Sequence, residues 1–345
     1  MRFFLVLPLL SLPTLAWSGQ LLNGQVFDRY SPLVEADEFS RRVFTPTTAD
    51  RLERFQKHLG QRAVTHTVDL HHELFDVWLP SRKPDGGYGL IVFVSPTRHW
   101  PLTHGWKKAL DRTGTIYVSA RKSGNSQNVY ERRIPLALHA YENVQARYRI
   151  DPARVTIGGF SGGSRTAIRI AAAYSDVFTG ALLVGGAKTM GEEDFAPPPA
   201  ELMALLQRRM RVVFSTGRHD APNQRLDGRS RDALEARCVA GVFKISEANI
   251  GHEVPNLKTM MRVIERLDQP LKPASLQAQE TCSKTLVARV EQDIAAVETA
   301  MKNGELGRAG DLLGAADLAW GGLAGDRLVA LARELAPGFE GTPAL

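Results

Sequence analysis

The chain is 345 residues long, 43% hydrophobic and 23% charged, a composition that suits a folded protein and excludes a disordered chain or a coiled coil over most of its length. It is long enough for one large α/β domain with an appendage, or for two small domains. The formal charge of +6 comes from 43 Lys and Arg against 37 Asp and Glu. The two signs are interleaved along the chain, so a solvated surface is expected and a nucleic-acid partner is not.

Residues 1–18 open with one basic residue and an apolar run from Phe3 to Leu10, and end in small residues at Ala16 and Ser18. That pattern is a secretory signal peptide, cut after Ser18 or Ala16, and it implies a periplasmic or secreted protein. Pro8 and Pro13 interrupt the apolar stretch, which is short for a bilayer span, and no later segment is longer, so stable membrane insertion is not expected. In the N-terminal segment, 19–63, a capped helix is expected from Thr47 to Gly60.

From Val64 the pattern changes. "VTHTVDL" and "ELFDVWLP" alternate polar and apolar residues as half-buried strands do, "KPDGGYG" is a turn, and "LIVFVSP" opens as a strand covered on both faces. Helices at 102–113 and 135–148 flank a strand in "TIYVSA". The strand and helix of "RVTIGGFSGGSRTAIRIAAAY" follow, then the strands "ALLVGG", "RVVFSTG" and "GVFKISE" with helices near 202–209 and 231–237 between them. The alternation over 64–268 argues for an α/β fold: a mostly parallel sheet with helices on both faces, entered by an antiparallel hairpin.

"DQPLKPAS" reads as a linker, and 275–337 as a C-terminal helical appendage, taken as a helical pair that packs on the main domain or on a partner. The two cysteines, Cys238 and Cys282, lack metal-ligand spacing. An oxidising compartment permits one disulfide between them; two free buried thiols are the other reading.

The chemistry centres on Gly159-Phe160-Ser161-Gly162-Gly163, a G-x-S-x-G match. Alone it is a weak motif, but it follows an apolar run and precedes a helical one, which is the strand, sharp turn and helix that a nucleophile elbow requires. Glycines around the serine relieve collisions with the neighbouring strand and helix, and the helix start leaves the Gly162 N–H free for a developing oxyanion. Of nine histidines, His252 lies in "ANIGHEVP", directly after the last strand, where catalytic groups collect. Asp220, in "STGRHDAPN" after the preceding strand, is the orienting acid, with Asp227 and Asp232 as nearby alternatives and His219 as a solvent-exposed neighbour able to line the pocket. The order Ser161, Asp220, His252 is that of α/β-hydrolase triads. The second oxyanion donor should follow the strand "LIVFV", in "SPTRHW". Pro96 has no N–H, which leaves Thr97 ahead of Arg98, with His99 and Trp100 as pocket-lining or packing residues.

"RIDPARVTIGGFSGGSRTAIRIAAAYSDVFTGALLVGG" resembles the core of α/β-hydrolase serine esterases of the poly(3-hydroxybutyrate) depolymerase and feruloyl esterase type, in which an "IDPxRV" lead-in precedes the elbow strand and "YPDxFAG" follows its helix. "TGRHDAPN" and "IGHEVP" are similar to that family's acid and histidine loops, and the resemblance covers about 65–267. It implies the α/β-hydrolase fold and the triad Ser161, Asp220 and His252. One departure concerns the oxyanion loop, where the family often has a histidine-glycine pair and this chain has Ser95 and Pro96; the tail after Pro270 has no counterpart in the simplest members.

The expected function is an exported serine hydrolase cleaving a small-molecule or polymeric carboxylic ester through an acyl-enzyme, with no metal or cofactor. A serine peptidase on the same machinery, or a non-catalytic binding or scaffold protein with the fold, are the alternatives. Arg165, one turn into the elbow helix, reads either as a buried ion-pair partner or as a helix-surface charge.

Overall fold

A computed structural model describes residues 19–60 and 67–336. The expected signal peptide at 1–18 lies outside the described residues, as do 64–66 of the first expected strand and position 337 at the end of the expected appendage.

Eight strands form one sheet: β1 (Gln20–Gln25), β2 (Phe75–Leu79), β3 (Tyr88–Val94), β4 (Thr115–Ala120), β5 (Ile150–Phe160), β6 (Gly180–Val184), β7 (Arg211–Phe214) and β8 (Val242–Lys244). Their order is β1-β2-β4-β3-β5-β6-β7-β8. β2 pairs antiparallel with both β1 and β4, and every pair from β4 to β8 is parallel. This topology is the α/β-hydrolase fold. The expected entry hairpin is corrected in one respect: β2's outer antiparallel partner is β1, from the N-terminal segment, and not 67–70. At the end of that stretch Leu70–His72 form a short 3-10 turn, because the Asp69 carboxylate accepts the His71 N–H at 3.1 Å and diverts the backbone from a ladder.

Helices fill both faces. They are α1 (Ala36–Val43), α2 (Pro46–His58), α3 (His104–Thr113), α4 (Ile134–Arg147), α5 (Gly162–Ala173), α6 (Ala200–Arg209), α7 (Ala221–Glu235) and α8 (Leu257–Asp268), followed by α9 (Pro273–Lys302), α10 (Leu306–Trp320) and α11 (Gly325–Leu335). No residue from Leu90 to Val94 is more than 2% exposed, so β3 is covered on both sides. The two-residue strand period divides it between two cores. Leu90, Val92 and Val94 face α4 and α5, while Ile91 and Phe93 join Trp106 and Leu110 of α3 and Met260 and Ile264 of α8. α7 starts ten residues earlier than the helix expected at 231–237, since Asp220 occupies its N-cap and Pro222 its first turn, a position that tolerates a missing N–H.

The C-terminal appendage is three helices where a pair was expected. α9, α10 and α11 enclose a separate core of Leu286, Val290, Ile294, Val297, Leu313, Trp320 and Leu328. The i, i+4 and i, i+3 steps on α9 form its apolar stripe. This unit packs on the main body. Cys238, between α7 and β8, is disulfide-bonded to Cys282 of α9, Arg237 donates to the Ala319 carbonyl at 2.7 Å, and Thr47 Oγ1 of α2 donates to Asp317 at 2.6 Å. Among the described residues no helix is long and apolar enough to cross a membrane.

The disulfide closes a loop with a sequence separation of 44, for which chain entropy gives about 4 kcal/mol. Cys238 precedes a parallel strand and so sits at the amino ends of the sheet, away from the strand-end loops. Cys282→Ser should therefore lower the urea-unfolding free energy by about 4 kcal/mol; unchanged stability would contradict this.

Candidate active site

β5 ends at Phe160 and α5 begins at Gly162, so Ser161 alone makes the corner. Its backbone stands at φ 55°, ψ −121°, a region that L residues with a side chain rarely enter. The strained residue is held by hydrogen bonds on both sides: its N–H donates to the Val184 carbonyl of β6 at 2.7 Å, and its carbonyl accepts the Ser164 N–H at 3.0 Å. The glycines have separate steric reasons. A Cβ on Gly159 would press into the Gly163 peptide, 2.7 Å from Ser164 N, and one on Gly163 would run into the Val94 carbonyl of β3.

His252 projects from the loop between β8 and α8. Its Nε2 is 3.0 Å from Ser161 Oγ, and its Nδ1 is 2.6 Å from Asp220 Oδ2. With the Nδ1 proton given to the carboxylate, Nε2 is left as the acceptor of the serine hydroxyl. The ring lies against Phe160, with centroids 4.7 Å apart. On another side sits Gly185, whose φ is +75° and where a Cβ would come within 2.9 Å of His252 Cε1. Asp220 is 7% exposed and occupies the N-cap position of α7 without a side-chain capping bond, at the helix end whose dipole favours a carboxylate.

Of the three candidate acids, the structure brings Asp220 to the histidine. Asp232 is exposed on α7, and Asp227 is buried and otherwise engaged. His219 is exposed, with its backbone N–H given to the Ile250 carbonyl at 3.1 Å. Trp100 packs on Phe160 at 5.2 Å, one ring removed from His252, and His99 Nε2 lies 3.2 Å from Asp76. Thr97 is a correction as second oxyanion donor. Ser95 Oγ turns back and accepts the Thr97 N–H at 3.0 Å, so that amide is used inside its own turn. Gly162 opens α5, where the first N–H groups of a helix have no intrahelical partner. Arg165 is half-buried and makes no side-chain hydrogen bond among the described residues; Arg169, one turn further on, pairs with Asp194.

Sequence reasoning missed Asn223 and the Asp227 network. Asn223 Nδ2 donates to both Asp220 oxygens at 2.9 Å, which holds the carboxylate plane toward His252. Its signal was present in the i, i+3 spacing from Asp220 on α7. Asp227 accepts from Thr216 Oγ1 at 2.5 Å and from the Ala187 N–H at 2.9 Å, while Thr216 Oγ1 accepts the Gly185 N–H at 3.0 Å. This network anchors the glycine bend on which the His252 ring rests. Among the described residues no group of three or more His, Cys, Asp or Glu is placed to hold a metal.

Burial pushes the Asp227 carboxyl from 3.8 up to about 6, outweighing the Thr216 and Ala187 hydrogen bonds and the Arg231 and Lys244 charges that pull it down. The fold therefore favours the neutral acid. Its stabilisation is complete below pH 3.8 and is lost as the pH rises through about 6, a change of about 3 kcal/mol at 1.36 per unit. Urea unfolding at pH 4 and pH 7 should show wild type losing up to about 3 kcal/mol more than Asp227→Asn over that interval; parallel losses would contradict the assignment.

No protein-family model matches the chain, and no curated protein sequence matches it. Solved structures similar to it include a ferulic acid esterase, 14% identical with a TM-score of 0.42, covering 57% of this chain and 90% of that one. Est1E from Butyrivibrio proteoclasticus is 11% identical with a TM-score of 0.42, over 62% of this chain and 98% of that one. A puromycin-hydrolyzing peptidase of Mycobacterium tuberculosis is 18% identical with a TM-score of 0.40, over 56% of this chain and 36% of that one. The fold assignment rests on the strand order and the elbow.

Proposed function

We propose that the protein is an exported serine hydrolase acting on carboxylic esters. The observation that carries this reading is the hydrogen-bonded chain from Ser161 Oγ through His252 to Asp220, at 3.0 and 2.6 Å, on an elbow that presents the serine outward. Ser161 Oγ attacks the ester carbonyl while His252 Nε2 takes its proton. The buried Asp220 carboxylate stabilises the imidazolium and keeps its orientation, and the Gly162 N–H donates to the oxyanion. His252 returns the proton to the departing alcohol. Water then repeats the sequence on the acyl-enzyme and releases the acid. Export follows from the leader pattern of 1–18 and agrees with the Cys238–Cys282 disulfide, since such bonds persist in oxidising compartments.

The test is a panel of p-nitrophenyl esters from acetate to decanoate, methyl ferulate and peptide p-nitroanilides, offered to the purified protein. Ester turnover is expected, falling by about 10⁴-fold or more in Ser161→Ala and in His252→Ala. Turnover surviving in Ser161→Ala would overturn the reading, and cleavage of anilides without esters would overturn its substrate class.

A further inference from the structure

The turn that withdraws the Thr97 N–H leaves one donor, Gly162, where acyl transfer usually employs two. The loop after β4 supplies a replacement. The Asn125 N–H donates to the Pro96 carbonyl at 2.9 Å, and a Cβ on Gly124 would lie 2.8 Å from the Thr97 carbonyl carbon, so this loop lies directly on the β3 loop. It thereby carries the Asn125 side chain over the elbow. A Cβ built on Gly162 would be 2.6 Å from Asn125 Cγ, 2.8 Å from Nδ2, and closer still to Oδ1. The amide thus occupies the space that any side chain after the serine would fill.

The orientation of that amide is set from behind by Arg133. The guanidinium is 4% exposed and has no carboxylate partner among the described residues. It donates to the Ser123 carbonyl at 2.8 Å, to the Ser95 carbonyl at 3.1 Å and to Asn125 Oδ1 at 3.5 Å. Burial and the charge of Arg169 lower its pKa to about 10, which leaves it cationic at neutral pH. With Oδ1 facing a buried cation, the Nδ2 hydrogens point away from it. Nδ2 has no hydrogen-bond partner among the described residues, and Asn125 is exposed to solvent. A cation on the carbonyl end of an amide also draws electron density from its nitrogen and strengthens it as a donor.

We propose that Asn125 Nδ2–H is the second oxyanion donor, a catalytic residue made effective by Arg133. The assignment rests on the hydrolase reading above. It also gives Gly162 a role, since a larger residue there would displace the donor.

The test compares Asn125→Ala with Asn125→Asp in ester kinetics and in inhibition by phenylboronic acid, whose serine adduct places a hydroxyl in the oxyanion position. Loss of the donor should lower kcat about 10²–10³-fold in Asn125→Ala, with KM within about threefold of wild type and boronate affinity falling in parallel with kcat. Asn125→Asp keeps an acceptor for Arg133 but has no N–H, so it should lose at least as much. Full activity in Asn125→Asp beside a loss in Asn125→Ala would make the role structural and overturn the proposal. So would wild-type kcat and boronate affinity in both variants. A wild-type protein that hydrolyses neither esters nor anilides overturns the hydrolase reading and this assignment together, whereas an active wild type with indifferent variants overturns this assignment alone.

Discussion

At φ 55°, ψ −121° the backbone of Ser161 is the constraint from which the rest of the site follows. A side-chain-bearing residue in that region costs about 1–3 kcal/mol, and the surroundings oppose its relaxation at several points. β6 binds its N–H through Val184, and the first turn of α5 binds its carbonyl. Gly163 lies so close to the end of β3 that a side chain there would run into the Val94 carbonyl. The elbow is therefore a property of three adjacent parallel strands, β3, β5 and β6, held in register by a core on each face.

The other groups are placed relative to that corner by fixed polar bonds. His252 rests between the Phe160 ring and the Gly185 bend, and the bend is tied to β7 and α7 through Thr216 and Asp227. Asp220 is aimed by Asn223 from the next turn of the helix it caps. The arrangement makes one carboxylate, Asp220, the partner of the histidine and leaves the second, Asp227, as a buried anchor whose carboxyl burial pushes up to about 6. The C-terminal helices join elsewhere, through Cys238, Arg237 and α2. Their attachment bears on stability, and among the described residues none of the groups hydrogen-bonded to Ser161, His252 or Asp220 comes from them.

Much of this was legible in the sequence, for identifiable reasons. Strands buried on both faces are uninterrupted apolar runs, so "TIYVSA" marks β4 from Thr115 to Ala120 without error. Ser161, Asp220 and His252, whose side chains the fold brings within 3.0 and 2.6 Å of one another in series, stand out in the sequence because each follows a strand, in the order of α/β-hydrolase triads. What failed depended on side chains competing with the backbone or on weak patterns. β1, "QLLNGQ", is a half-exposed edge strand with little alternation, and α10 carries Gly307, Gly310 and Gly314, which dilute its helical signal. The position of Thr97 after β3 points to an oxyanion donor, and only the fold reveals that Ser95 Oγ captures its N–H. Asn125 carries no local motif, and Asn223 only its i, i+3 spacing from Asp220, since each matters through a loop or helix turn that folding brings to the elbow.

The central claim is that Ser161 is a nucleophile activated by the chain to Asp220. Incubation with a p-nitrophenyl alkylphosphonate measures this directly, through stoichiometry and mass. The expected result is one p-nitrophenolate released per chain, with the phosphonyl group on the tryptic peptide that contains Ser161 and none in Ser161→Ala. No release from the folded protein, or an adduct on any other residue, would contradict it.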